Sequence, residues 1–249
     1  MSEPPAPAPP GAPPPALDWP DWSAAHPGAR PTDWLRALAE PDWSAAVGHA
    51  FTQACNAGTV PPPVMRRYLV QDYQFIGAFT ALLGRAIHTA PDLPARLPLG
   101  RFMGLLCSAE NTYFIRSFDA LGVAEPLRRD PPLSDAARGF RALMEDAAAS
   151  SHHADQLAVL CVAEWVYLSW ARPARDSRPA EPFWCAEWVD LHASPYFEGF
   201  VEGLRAALDR AVLVLDAAGR ARVRALFAEA ARLERAFFDS AYDESLPAG

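Results

Sequence analysis

Lysine is absent from this sequence, and all 22 of its cationic side chains are arginine. Schiff-base catalysis and the covalent attachment of pyridoxal phosphate need a side-chain amine, so the chain can perform neither through a lysine. The arginines are scattered and acidic residues outnumber them, which gives a formal net charge of -8. Because phosphate backbones and anionic lipids are recognised by basic patches, we expect no nucleic-acid partner and no membrane partner.

Long apolar runs and paired cysteines are also missing. An arginine, aspartate or glutamate interrupts every long apolar stretch, so no run approaches the roughly 18 residues that a membrane span needs. The four cysteines, Cys55, Cys107, Cys161 and Cys185, show no CxxC spacing, and no apolar signal segment precedes them. This pattern is typical of a reduced compartment and predicts a cytoplasmic protein.

The common catalytic and nucleotide-binding motifs are missing as well. The sequence contains no GxGxxG, P-loop, GxSxG or HExxH, so nucleotide binding and the usual serine or zinc hydrolase mechanisms have no support. Alternation of apolar and polar residues, which indicates strands, is almost absent. An α/β fold would therefore lack its sheet.

Helical periodicity follows a Pro/Ala-rich start. Residues 1–30 are too rich in proline to form a helix or a core and predict a disordered tail. Over residues 31–249, apolar residues recur at three- and four-residue spacing between proline and glycine breaks, which predicts one all-α domain, a helical bundle with room for an interior pocket. The predicted helices span 32–57, 62–89, 95–121, 133–149, 151–172, 182–193, 194–216 and 217–242.

Four acidic residues lie inside apolar helical segments: Asp72, Glu110, Glu164 and Glu234. Carboxylates in such surroundings are uncommon unless they are paired or hydrogen-bonded. Each could be a structural group bonded to a neighbouring arginine or aromatic side chain. Because they come from four different helices, a shared core would instead give a polar pocket, where burial raises the pKa of a carboxyl enough for it to act as a general acid.

Four buried carboxylates in a bundle also raise the possibility of a di-iron site, which uses Glu-x-x-His pairs. Here an aromatic residue stands three positions after each glutamate of the set, where an imidazole would be needed: Tyr113, Tyr167 and Phe237. The spacing therefore predicts no metal site.

Two further side chains are candidates for the pocket. His192 follows Trp188 by one helical turn, which places the two on one face. Cys161 precedes Glu164 by three residues, so a thiol nucleophile and a buried structural cysteine are both open.

These segments together resemble the thiaminase II (TenA) family, whose helical fold is related to haem oxygenase and to the oxidase PqqC. The resemblance covers residues 34–243 and implies an all-α, haem-oxygenase-like bundle that forms a homodimer or homotetramer. Four segments carry it in the family's order: HAF with GTV at 49–60, YLVQDYQFIGAF at 68–79, SAENTYFIRSFDALGV at 108–123 and LERAFFDSAY at 233–242.

The chain departs from the best-known branch of this family in one helix. That branch carries a nucleophilic cysteine in a Pro-Cys-x-Trp-x-Tyr segment, and here VAEWVY places Ala163 at the cysteine position. The segment looks like the Cys-lacking branch, which carries a glutamate in this helix and is associated with salvage of aminomethyl- or formylaminomethyl-pyrimidine. A second departure is Ala137, which stands about where the Cys branch has a pocket tyrosine.

The resemblance implies a cofactor-independent hydrolase of thiamin-breakdown pyrimidines, with thiaminase II activity also open. It implies that Asp72 binds the pyrimidine's amino group and ring nitrogen, that Glu234 is the general acid and base, and that Glu164 steers or deprotonates water. The other residues expected to bind this small heteroaromatic substrate are Phe75, Tyr73, Glu110, Tyr113, Trp165, Tyr167 and His192.

Three other functions stay open. An oxidase similar to PqqC or haem oxygenase would need a histidine-rich pocket or a proximal histidine, and His192 alone fits poorly. A regulatory module would bind a pyrimidine tightly without turning it over. A divergent enzyme of the same fold would act on another heteroaromatic compound.

Overall fold

The computed structural model describes residues 17–247, so the first sixteen residues of the predicted tail and the last two of the chain lie outside it. Every regular element in this part of the chain is helical, and none of its helices is long and apolar enough to cross a membrane. The first five helices are α1 (Trp19–Ala25), α2 (Pro31–Leu38), α3 (Asp42–Val47), α4 (Ala50–Asn56) and α5 (Pro62–Thr89).

A π-helical turn and a 3-10 turn interrupt the second part of the chain. The elements up to the centre are α6 (Leu93–Leu105), the π turn (Leu106–Glu110), α7 (Asn111–Leu121), α8 (Glu125–Arg129) and α9 (Asp135–Ala149). The last elements are α10 (His153–Ala171), the 3-10 turn (Arg172–Ala174), α11 (Phe183–Ala193), α12 (Pro195–Val214) and α13 (Ala217–Ser240).

Capping side chains fix where several helices begin. The Ser194 hydroxyl accepts a hydrogen bond from the N–H of Phe197 at 3.1 Å, and a proline holds the first helical position of α12. The Ser134 hydroxyl accepts from the N–H of Ala137 at 3.0 Å. Both caps satisfy N–H groups that have no partner inside the helix, and they begin α12 and α9 close to where the sequence predicts.

The predicted helix 32–57 is three short helices in the structure, α2, α3 and α4. Pro41 separates the first two because proline lacks the N–H that a helix interior needs. Gly48 ends α3, and His49 then caps α4 by accepting a backbone N–H at 3.1 Å. The predicted helix 95–121 is continuous through α6, the π turn and α7, which follow one another without a break.

Helix α10 is the axis of the bundle. Nearly all of its residues are buried, and it packs against α5, α9, α11, α12 and α13. A helix that is apolar on all sides belongs in a protein interior. A polar side chain on α10 is therefore enclosed by the surrounding helices, which is how Glu164 comes to lie in the core.

The segment 17–30, predicted as the end of a disordered tail, is folded against the bundle, and this part of the prediction is corrected. The indole N–H of Trp34 donates to the carbonyl of Leu17 at 3.0 Å, and Arg220 pairs with Asp18 at 2.6 Å. The two tryptophans of α1 also pack against the core. These apolar rings and the ion pair supply the contacts that the Pro/Ala-rich composition does not.

Candidate active site

A small cavity lies inside the bundle, between α5, the π turn, α10 and α11. The centre of a water-sized sphere can move through about 30 Å³ of it, which is room for about two water molecules. A heteroaromatic ring therefore fits only after part of the wall has moved. The lining residues are Asp72, Phe75, Ile76, Phe79, Leu106, Glu110, Ala163, Glu164, Tyr167, Trp188 and His192.

Three of the four carboxyls singled out in the sequence line this cavity, and the fourth lies beside it. Asp72 comes from α5, Glu110 from the end of the π turn and Glu164 from α10. Glu234 of α13 is 2% exposed, and its charge acts on the pKa of Glu164. The structure thus brings together four carboxyls from four elements, each in electrostatic contact with at least one other.

Burial dominates the electrostatics of this cluster. It raises the pKa of Asp72 to about 7, against a smaller opposite effect of the Tyr68 hydroxyl. It raises the pKa of Glu110 to about 8, and the charge of Asp72 adds to that shift. Burial and then neighbouring carboxylates raise the pKa values of Glu164 and Glu234 well above the usual range. No arginine of the described residues acts on any of these four pKa values.

Two carboxyl oxygens of the cluster have no hydrogen-bond partner in the part of the chain that the structure describes. They are Asp72 Oδ2 and Glu234 Oε1, and both are buried. An unpaired buried acceptor costs about 1–3 kcal/mol, so fold stability does not explain why these groups are there. A ligand that donates hydrogen bonds or carries positive charge would satisfy them. Such a ligand would therefore fit the cluster.

His192 adds a neutral base to the cavity wall. Its Nδ1 lies 2.8 Å from the carbonyl oxygen of Trp188, to which it donates. Burial lowers the pKa of His192 to about 4, so the imidazole is neutral at pH 7. The other ring nitrogen, Nε2, then carries a lone pair that can accept a hydrogen bond from a ligand.

A hydrogen-bonded aromatic network supports one wall. The hydroxyls of Tyr68 and Tyr167 lie 2.7 Å apart, and the indole N–H of Trp188 donates to the Tyr68 hydroxyl at 3.1 Å. Tyr68 was not among the predicted site residues, and Trp188 was noted only as the residue one helical turn before His192. Tyr68 likewise precedes Asp72 by four positions, and this spacing places the pair on one helix face and could have identified it.

Two tyrosines that were expected to bind substrate do not reach the cavity, so their assignment is corrected. The hydroxyl of Tyr73 donates to Asn111 Oδ1 at 3.0 Å, between α5 and α7. Tyr113 packs behind the wall, with its ring centre 4.9 Å from that of Trp188. Consecutive residues of a helix are rotated by about 100°, so the neighbour of a pocket residue, such as Tyr73 after Asp72, faces another way.

Trp165 and Cys161 lie on the opposite face of α10. The centre of the Trp165 ring lies 4.7 Å from that of Trp43. The Arg205 guanidinium lies 3.9 Å from the centre of the Trp165 ring. The expected role of Trp165 as a substrate wall is therefore corrected. Burial raises the pKa of Cys161, on which the charges of Arg205 and Asp209 also act. A neutral thiol outside the cavity lining is a structural cysteine, and the alternative of a thiol nucleophile has no support from the geometry.

The described residues show no arrangement of side chains that suits a metal ion. No group of three histidine, cysteine, aspartate or glutamate side chains between residues 17 and 247 is arranged to hold a metal ion. Metal independence itself stays a prediction, which activity measurements in excess chelator can test.

The fold and the cavity place the molecule among all-α bundle proteins with an interior cavity. More particularly, the model of the TENA/THI-4/PQQC family matches residues 36–244, and the chain belongs to this family. The family resemblance found in the sequence is confirmed.

Individual relatives agree with this assignment. An aminopyrimidine aminohydrolase from Halalkalibacterium halodurans is 24% identical over 85% of this chain and 95% of its own. The structure of a TenA homologue from Pyrococcus furiosus superposes with a TM-score of 0.75 at 19% identity, over 85% of this chain and 100% of that one. Haem oxygenase-2 from Synechocystis superposes with a TM-score of 0.53 at 16% identity, over 86% of both chains. The predicted all-α, haem-oxygenase-like fold is confirmed.

Proposed function

We propose that this protein is a hydrolase that breaks a C–N bond in a small aminopyrimidine of the kind released when thiamin breaks down. The observation that carries the proposal is the cluster of four buried carboxyls without an arginine partner, which suits a protonated ring that donates hydrogen bonds. A relative from Halalkalibacterium halodurans is named an aminopyrimidine aminohydrolase, which supports the same substrate class.

In this proposal Asp72 binds the ring. An ionised carboxylate accepts two hydrogen bonds side by side, and the amino group and protonated ring nitrogen of an aminopyrimidine offer two donors in the matching arrangement. Oδ2 of Asp72 has no other partner among the described residues. A bound cation favours the ionised form and so lowers the pKa that burial has raised to about 7. Phe75, Tyr167 and Trp188 supply apolar walls for the ring.

Glu234 acts as the general acid. Burial and the charge of Asp72 raise its pKa well above the usual range, which favours the protonated carboxyl that can give a proton to a departing nitrogen. Glu164 positions the attacking water or takes its proton, because its own raised pKa falls once a cation lies beside it. The water oxygen bonds to the carbon of the scissile C–N bond, that bond breaks, and the nitrogen leaves with the proton from Glu234.

Glu110 and His192 complete the polar lining of the cavity. The neutral imidazole of His192 can accept a hydrogen bond from the substrate through Nε2. The Glu110 carboxyl, with its pKa raised to about 8, is mostly protonated at pH 7 and can donate one hydrogen bond and accept another. We assign both residues to substrate binding and not to proton transfer.

The proposed reaction uses neither a thiol nor a cofactor. Ala163 lines the cavity at the position that resembles the nucleophilic cysteine of the best-known TenA branch. Water must therefore attack the substrate directly, without a covalent intermediate on this helix.

We also propose that the protein works in the cytoplasm as a homodimer or homotetramer, without a nucleic-acid or membrane partner. Its four cysteines are free, which suits a reducing compartment, and its net charge of -8 disfavours anionic partners. Light scattering of the purified protein measures the assembly, and a monomer at micromolar concentration would contradict this part of the proposal.

The direct test is to incubate the purified protein with thiamin, aminomethyl-pyrimidine and formylaminomethyl-pyrimidine and to identify products by mass spectrometry. We expect the hydroxymethyl or aminomethyl product from at least one of the three. Tight binding of all three without any product would support a regulatory module instead and would overturn the proposed hydrolase.

A further inference from the structure

Phe75 separates two spaces. Phe75 lines the buried carboxyl cavity and also lines an open groove between α5 and α9. The centre of a water-sized sphere can move through about 410 Å³ of this groove, against about 30 Å³ of the cavity. The cavity has no room for a large substituent, whereas the groove beside it has.

The groove is lined mainly by apolar side chains, whereas three carboxyls line the cavity. Its floor is built from small and apolar side chains: Gly77, Ala78, Ala81, Leu133, Ala137, Met144 and Ala148. Its charged rim consists of Arg141 and Glu145, and these two pair with each other at 3.0 Å. A ligand in this groove finds apolar contact and no unpaired charge, so a neutral apolar group fits best.

Turning the side chain of Phe75 breaks ring contacts but no hydrogen bond. Phe75 is partly exposed, and the centre of its ring lies 5.2 Å from that of Phe140 and 5.5 Å from that of Phe79. These are apolar contacts, so no hydrogen bond is lost when the ring turns. Of the residues that line the cavity, only Phe75 and Ile76 are partly exposed. Rotation of Phe75 would therefore join the groove to the cavity.

We propose that the α5–α9 groove binds the substituent on the nitrogen of the scissile bond, and that it selects substrates by that substituent. The inference rests on the proposed function, since it assumes that the pyrimidine occupies the carboxyl cavity. The preferred substrates then carry a neutral acyl group larger than formyl on the aminomethyl nitrogen.

The chemistry needs only water as co-reactant. The water oxygen bonds to the acyl carbon, the amide C–N bond breaks, and the nitrogen takes a proton as the free amine forms. The acid leaves through the groove, and the aminomethyl-pyrimidine remains in the cavity. The groove contributes binding energy to the acyl part, so filling it should act on long substrates and spare short ones.

The test compares N-benzoyl and N-formyl aminomethyl-pyrimidine as substrates of three variants. Ala78→Leu and Ala137→Leu add apolar volume to the groove floor, and Ala142→Leu adds the same volume at an exposed position of α9 that does not line the groove. We expect both groove variants to lower the benzoyl-to-formyl ratio of kcat/KM at least tenfold. The ratio for Ala142→Leu should equal that of the wild type.

The possible outcomes are distinguishable. If the wild type cleaves the formyl substrate but not the benzoyl one, or if both folded groove variants keep the wild-type ratio, the groove inference is wrong and the proposed hydrolase stands. If the wild type cleaves neither compound, the proposed function fails only if thiamin and aminomethyl-pyrimidine are not cleaved either. The dissociation constant of the benzoyl compound, read from tryptophan fluorescence, then decides the groove alone: weaker binding only in the groove variants supports it, and equal binding overturns it.

Discussion

The charged side chains on the two faces of helix α10 differ in whether they have partners of opposite charge. On one face, Glu164 lies among buried carboxyls that no arginine of the described residues neutralises. On the other, the guanidinium of Arg205 covers the ring of Trp165 at 3.9 Å and pairs with Asp33 at 2.8 Å. Paired charges over an aromatic ring stabilise a fold, whereas unpaired buried carboxyls destabilise it. The comparison indicates that the contacts on the Arg205 face stabilise the bundle, and we propose that the Glu164 face serves a ligand.

The largest effect should come from Glu234→Gln, which removes a transferable proton from the carboxyl face. Loss of a general acid lowers turnover by about 10²–10⁴, so kcat should fall by that amount while KM changes little. The melting temperature should change little, because the amide has nearly the same shape as the protonated carboxyl and is also uncharged. Steady-state kinetics and thermal melting measure both. Unchanged kcat in a folded variant would remove Glu234 from the mechanism.

Asp72→Asn should act on binding more than on turnover. It replaces one carboxylate oxygen with an N–H donor, which faces a donor on the substrate. Hydrogen bonds to charged groups are worth about 1.5–3 kcal/mol, so the dissociation constant should rise about tenfold to a hundredfold. Calorimetry with the reaction product measures this constant. A variant that binds as tightly as the wild type would show that the ring is held elsewhere.

The carboxyl face should make the free protein less stable as pH rises. The folded-state pKa values of Asp72 and Glu110 are raised to about 7 and about 8, so between about pH 4 and pH 8 the folded protein holds more protons than the unfolded chain. Unfolding free energy then falls as pH rises through this window, by about 1.4 kcal/mol for each unit of net shift.

Melting curves from pH 5 to pH 8 test this dependence against a variant with Asp72→Asn and Glu110→Gln. The variant should lose less stability over the window than the wild type. Parallel curves for the two proteins would mean that these carboxyls do not carry the pH dependence.

Arg205→Ala changes the other face of α10, and we expect it to lower stability without changing turnover. It removes the cation from the Trp165 ring and leaves Asp33 without this partner, which should cost about 1–2 kcal/mol of unfolding free energy. Turnover at a temperature where the variant is folded should equal that of the wild type. A selective loss of turnover would contradict the division of α10 into two faces.

The smallest effect is expected for Cys161→Ala, which changes kcat little because the thiol is buried on the Arg205 face. Its readout is turnover at a fixed temperature, with Glu164→Gln as the matched comparison on the same helix. Loss of turnover in Cys161→Ala with normal turnover in Glu164→Gln would reverse the proposed mechanism.

The sequence predicted the convergence of carboxyls better than it predicted the aromatic walls. Asp72, Glu110, Glu164 and Glu234 each interrupt an apolar stretch and have apolar residues three and four positions away, which predicts that each lies on the helix face that packs into the core. This reasoning needs no knowledge of how the helices are arranged. It also needs no homologue, since the pattern is local to each helix.

The aromatic assignments depended on rotation and tertiary packing, which a one-dimensional pattern does not contain. Tyr73 and Trp165 each follow a pocket residue directly and so point away from it. Tyr68 was missed although four-residue spacing connects it to Asp72, and Trp188 was noted for its spacing to His192 but was not assigned to the site. The segment 17–30 was missed because its contacts come from residues distant in the chain.

The central claim is that the buried carboxyls serve the positive charge of the ligand. The most direct test is calorimetric binding of aminomethyl-pyrimidine to the Glu234→Gln variant at pH 5, where the ligand already carries its ring proton before it binds, in two buffers of different ionisation enthalpy. A cation that ionises carboxyls with raised pKa values must drive protons into solution. We therefore predict net proton release on binding, smaller in a variant that also carries Asp72→Asn. Binding without any proton exchange in either protein would contradict the claim.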